Sequence, residues 1–110
     1  ATVAYLERGA PESVTMVITG SHTGGPGDED QACADYLEAL IRGETIDLGE
    51  VQDRVRGARA AEKFSDPERP AFVPEDLEYA LDVDRFEFAM VVRCDGQHLV
   101  MKPVLPGGGG

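Results

Sequence analysis

The spacing of apolar and polar positions divides the chain into helices, short strands and breaks. Thr2–Arg8 (TVAYLER) has the composition of the last turns of a helix, ended by Gly9 and Pro11. Val14, Met16, Val17 and Ile18 then form an apolar run too brief for a helix and rich in β-formers, which predicts a strand. Gly20, Gly24, Gly25, Pro26 and Gly27 forbid regular structure and leave backbone free to approach a ligand. A helix is expected next, up to Arg42, with Asp28 as N-cap, Gln31 in the capping-box position and Gly43 as the stop. At about 100° per residue, Cys33, Ala34, Tyr36, Leu37, Leu40 and Ile41 share one arc. Gln31, Asp35, Glu38 and Arg42 share the other.

Asp47 caps a further helix with Glu50 at the box position and a narrow apolar stripe of Leu48, Val51, Val55 and Ala58. Glu50 and Arg54 are correctly ordered for an i,i+4 pair. Arg56, Arg59 and Lys63 line up beside the stripe, either as a receptor for a phosphate or sulfonate or as a solvated row paired with its acidic neighbours. Phe64 is expected under the end of this helix, before Ser65–Pro70 breaks the structure. Pro74 starts a short helix with Glu75, Asp76 and Glu78 in its first turns. Phe86–Arg93 reads as a strand, Asp95-Gly96 as a two-residue hairpin turn, and Gln97–Lys102 as the antiparallel return, with Pro103 and Pro106 ending regular structure.

This order predicts an α/β protein: a layered α/β/α arrangement with a mixed sheet and an antiparallel C-terminal hairpin. The expected organisation is one domain over residues 1–106, followed by a flexible glycine tail or linker at 107–110. Three strands are few for a self-contained sheet, so partners outside this chain are expected.

Composition narrows the function classes. With 42% hydrophobic and 28% charged residues the chain is of the folded kind. Its 21 acidic residues against 10 basic ones give a net charge of −11, which disfavours nucleic acid and anionic membrane as partners. No apolar run approaches a membrane span and no leader pattern is read, so a cytoplasmic protein is expected. Cys33 and Cys94 match no metal spacing, and reduced thiols are expected.

Candidate chemistry gathers where the glycine loop meets the helix. Glu29 and Asp30 fall inside the apolar arc, which would aim two carboxylates at the interior beside the carboxyl end of a strand, where open α/β sheets place their sites. Acidic residues also stabilise a helix N-terminus through its dipole, with no ligand needed. Carboxylates are the hard-oxygen ligands that magnesium prefers. Ser21 and Thr23 suit phosphate oxygens or simply the loop backbone, and His22 suits a phosphate contact or general-acid work. The loop has no P-loop lysine, and the sequence contains neither G-x-S-x-G nor H-E-x-x-H.

The segment GDEDQACADYLEAL, with Thr19-Gly20, Glu29-Asp30 and Cys33-Ala34, resembles the 2-phosphosulfolactate phosphatase (ComB-like) family. PEDLEYALDVDRFEFAMVV, with Asp76-Leu77-Glu78-Tyr79 and Asp84-Arg85-Phe86, resembles the same family's terminal signature. The loop Ser21–Gly27 departs from that pattern in being longer and richer in glycine. The resemblance implies part of a larger ComB-like fold, with this chain as the carboxyl-terminal half of an enzyme about twice as long. It also implies magnesium-dependent hydrolysis of a phosphate ester on a small sulfonated hydroxy acid. Glu29 and Asp30 would then be the catalytic and Mg2+-holding residues, and Gly20, Ser21, His22, Thr23, Gly24 and Gly25 the phosphate-binding ones. The partners implied are a small anionic substrate and an amino-terminal half or second chain, a homo-oligomer included. A non-catalytic anion-binding relative and an acidic protein-interaction module are the alternatives.

Overall fold

A computed structural model of the chain describes residues 1–20 and 27–106. Its four α-helices are α1 (Thr2–Gly9), α2 (Asp28–Arg42), α3 (Leu48–Arg56) and α4 (Pro74–Leu81), with a 3-10 turn over Arg59–Ser65; two strands, β1 (Ala89–Asp95) and β2 (His98–Val104), complete the described elements. The protein is thus a mixed α/β chain with a C-terminal antiparallel hairpin. It forms two compact units, Ala1–Val14 with Asp84–Gly110, and Thr15–Val83.

In the Thr15–Val83 unit, α2, α3, the 3-10 turn and α4 pack on one another. Asp47 caps α3 as expected, its Oδ1 accepting from Gly49 N at 2.9 Å. Pro74 stands in the first turn of α4 and Gly43 closes α2 in the left-handed region (φ 70°), both as the sequence implies. Asp28 is not the N-cap of α2: the helix already begins at Asp28, and Gly27, without a side-chain bond, takes the cap position. Gln31 is correspondingly not a box residue but donates to Asp35 Oδ1 at 2.8 Å.

The buried line of this unit is built of small side chains. Among its described residues, Ala32, Ala39, Val51, Ala58, Ala61 and Leu81 are the buried apolar ones, and no large side chain is fully buried. The α3 stripe behaves as its spacing predicts at Val51 and Ala58. In α2 the buried residues are Ala32 and Ala39, with Asp35 half-buried on the line between them. The larger residues of the expected apolar arc are less covered: Cys33 is exposed and Leu40 borderline, while Tyr36, Leu37 and Ile41 are half-buried. Alanines let helix backbones approach closely, and that contact wins the inner face of α2. Gln52 Nε2 donates to the carbonyl of Leu81 at 2.9 Å, tying α3 to the end of α4. Phe64 is half-buried and meets Phe72 edge-on, with centroids 5.7 Å apart.

The strand expected at Val14–Ile18 is absent. This run carries no regular structure, and Val17 is 81% exposed. β-propensity expresses a fit to a neighbouring strand, and among the described residues the sheet consists of β1 and β2 alone.

In the other unit α1 contacts β1, and the hairpin register pairs Ala89 with Val104 and Asp95 with His98. The loop is therefore Gly96-Gln97, one residue later than Asp95-Gly96. Gly96 has φ +64° and Gln97 is not among the positive-φ residues, the pattern of a II′ turn with glycine first. The shift moves every cross-strand partner by two positions but leaves the two faces unchanged. One face carries Ala89, Val91, Arg93 and Asp95 with His98, Val100, Lys102 and Val104; the other carries Met90, Val92 and Cys94 with Leu99, Met101 and Pro103. All six residues of the second face are exposed.

Candidate functional site

The loop-to-helix junction is closed at its base by two glycines. A Cβ on Gly27 would lie 2.9 Å from Gly20 Cα and 3.0 Å from both Gly20 N and Asp30 Oδ2. Gly27 is buried, and Gly20 adopts φ +73°, a region open to glycine at little cost. Thr19 Oγ1 donates to Asp30 Oδ2 at 2.9 Å, so the residue before the loop is fastened to the first turn of α2. Gly27 O accepts from Gln31 N at 2.8 Å, which starts the helix at the neck. Ser21, His22, Thr23, Gly24 and Gly25, the expected phosphate-binding residues other than Gly20, lie outside the described residues.

Asp28, Glu29 and Asp30 occupy the first turn of α2, and all three are half-buried. Their charges complement the positive end of the helix dipole. Asp30 also acts on Cys33, one turn along: burial raises the thiol pKa, and the Asp30 carboxylate raises it further. Both cysteines are free thiols.

Among the described residues no group of three or more His, Cys, Asp or Glu converges as a metal cluster. Magnesium commonly takes one or two protein carboxylates and completes its shell with water and substrate phosphate. The neighbouring Glu29 and Asp30 fit that donor chemistry, Asp30 having one oxygen already engaged by Thr19.

A second polar cluster joins α2 to α3. Asp28, Gln31, Arg54 and Gly57 line a groove of about 330 Å³. Arg54 pairs with Asp35 at 2.9 Å, in place of the Glu50 partner that the i,i+4 spacing suggests. The Gln31 hydrogen bond, then the Arg54 bond and charge, hold the Asp35 carboxyl below its ordinary range against a small opposing effect of burial. Periodicity within one helix could not reveal Asp35–Arg54, because the partner comes from another helix. Arg56 of the basic row lies near Asp53 (3.6 Å) and Glu78 (3.9 Å), the solvated and paired alternative. The side chains of Arg59 and Lys63 lie outside the described ones.

Comparison with known proteins points to a phosphate-ester hydrolase as the class of relative. The match is a probable 2-phosphosulfolactate phosphatase of Bacillus subtilis (strain 168), 32% identical over 97 residues, which are 87% of this chain and 42% of that protein. The chain therefore spans less than half the length of the curated relative it matches. The family likeness read from the sequence is thus supported for this partial region. No family model matches the chain, and no solved structure does. No helix among the described residues is long and apolar enough to cross a membrane.

Proposed function

We propose that this chain supplies part of the active site of a magnesium-dependent phosphoric monoester hydrolase acting on a small phosphorylated sulfonate or hydroxy acid of the 2-phosphosulfolactate type. The observation that carries the reading is the 32% identity to a probable 2-phosphosulfolactate phosphatase over 97 residues. The half-buried carboxylates at the tip of α2 are the chemistry that agrees with it.

In this reading Glu29 and Asp30 would hold Mg2+, with Thr19 fixing the rotamer of Asp30 through the 2.9 Å hydrogen bond. When bound there, the ion would supply neutralisation of phosphate charge. Backbone N–H groups of the Gly20–Gly27 loop receive those oxygens. The nucleophile is organised by a complementary half or second chain. The same partner supplies a strand for Val14–Ile18, where Val14, Val17 and Ile18 are exposed, and cover for the exposed Met90, Val92 and Met101 of the hairpin.

The test is phosphate release from 2-phosphosulfolactate, with and without magnesium, by the intact protein that contains this chain. Replacing Glu29 and Asp30 by Gln and Asn is expected to lower kcat/KM by about a hundredfold or more with an unchanged circular-dichroism spectrum. Full activity in that variant rejects the site. Absence of turnover in the unsubstituted protein rejects the hydrolase and favours the non-catalytic relative.

A further inference from the structure

We propose that the hairpin face carrying Arg93 and Lys102 is a binding site for a small oxyanion: a phosphate, sulfonate or carboxylate group. The site lies wholly within the unit formed by α1 and the hairpin, and the proposal does not depend on the hydrolase reading.

The first argument is electrostatic. In a chain with 21 acidic and 10 basic residues, a cation ordinarily finds a carboxylate. Arg42, Arg54, Arg56 and Arg69 each do so, at 3.0, 2.9, 3.6 and 3.7 Å. Arg93 and Lys102 have no carboxylate within 4.0 Å among the described residues. Asp95 shares their face and their groove, yet it too stays outside that distance.

The second argument is geometric. Arg93 faces Val100 and Lys102 faces Val91, so the two cations are diagonal neighbours on one face. Such diagonals are about 7–8 Å apart, within reach of two long side chains closing on one anion. They line a groove of about 570 Å³ whose apolar walls include Val91, Val100 and Val104. Two positive charges on diagonal positions of one face repel where they approach; a bound oxyanion would replace that repulsion with charge-assisted bonds to both.

The third argument is that one of the cations is positioned. Arg93 Nη2 donates to Tyr5 Oη at 3.1 Å, so α1 braces the guanidinium. The tyrosine oxygen accepts in that bond, which leaves its own O–H free to turn toward a ligand. A fixed fork-shaped donor, a mobile ammonium and a hydroxyl donor together suit a planar or tetrahedral oxyanion.

The test is titration of the 110-residue chain with inorganic phosphate, methanesulfonate and acetate, followed by NMR at constant ionic strength with chloride as control. Saturable shifts are expected at the Arg93 side-chain N–H and at amides between Val91 and Val104, and the three probes rank the oxyanion classes. Arg93→Gln with Lys102→Gln is expected to weaken binding about tenfold or more, and Tyr5→Phe to weaken it by a smaller factor. Lys102→Arg, which keeps the charge, is expected to retain binding and guards against a variant that merely misfolds. The proposal is overturned if shifts fail to saturate, if they spread evenly over all basic residues, or if the double glutamine variant binds as before.

Discussion

Thr19 donates from its hydroxyl to Asp30 Oδ2 across 2.9 Å, bridging the two ends of the glycine loop. The bond is exposed, so its own contribution to stability is small, about 0.5 kcal/mol. Its importance is to orientation. Thr19→Val is expected to leave the melting temperature nearly unchanged while lowering turnover of the intact protein. Phosphate-release kinetics beside a thermal melt check both halves of that expectation; unchanged turnover removes Thr19 from the site.

Gly27→Ala is expected to be costlier. The new methyl would meet Gly20 backbone atoms at 2.9 and 3.0 Å, and backbone on both sides of the neck has nowhere cheap to go. A loss of about 1–3 kcal/mol is expected from urea unfolding. Gly9→Ala, with nothing within 4 Å of its added methyl, is the control and is expected to be neutral or mildly stabilising.

The last turn of α1 offers a stabilising change. Its αL residue is Ala10 (φ 46°, ψ 52°), one position after the glycine that the sequence suggests as the stop. A left-handed alanine costs about 1–2 kcal/mol, partly offset by the extra freedom glycine gains when unfolded. Ala10→Gly should therefore raise stability by about 0.5–1 kcal/mol, whereas Ala4→Gly inside the same helix should lower it by about 1 kcal/mol. Paired thermal melts decide the matter, and a destabilised Ala10→Gly would contradict the assigned backbone.

Asp35 sets a pH dependence. Its folded-state pKa is held below the ordinary 3.8 by Gln31 and then Arg54, so the stabilisation is present above that value and is lost as pH falls through the lowered one. Both partners are substantially exposed (side chains 44% and 38%), which limits the pair to about 1 kcal/mol at most. Asp35→Asn is expected to lower the neutral plateau of a stability–pH curve by up to about 1 kcal/mol and to flatten its acid limb, the two curves converging at low pH. An identical acid limb in the variant would show that Asp35 contributes nothing to it.

Cys33 should alkylate slowly. Burial and then the Asp30 charge raise its pKa, so less thiolate is present at neutral pH. In a Cys94→Ser background, iodoacetamide is expected to react with Cys33 more slowly than with a free cysteine peptide, and faster once Asp30 becomes Asn. No acceleration in that variant would mean that the carboxylate does not act on the sulfur.

Much of this architecture was legible in the residues. The caps at Asp47 and Gly43, Pro74 at the start of α4, and the hairpin are local features, decided by side chains a few positions apart. What local pattern could not supply was choice among partners. Arg54 satisfies the spacing to Glu50 but goes to Asp35, and the apolar arc of α2 yields the inner position to Ala32 and Ala39. Val14–Ile18 has the composition of a strand, but pairing needs a second strand, which no property of these five residues provides. Glu29 and Asp30 were legible as a pair at a loop-to-helix junction; the tether from Thr19 was not, because it crosses the loop.

The glycine neck has a consequence for how this region can vary between related sequences. Gly20 and Gly27 are seated against each other, so the two ends of the connection between them are set by their own contact. Residues can be inserted there at an entropic cost that grows only by about 0.6 kcal/mol for each doubling of length. The acidic tip of the helix would keep its place throughout, leaving loop length free to drift while the carboxylates stay in register.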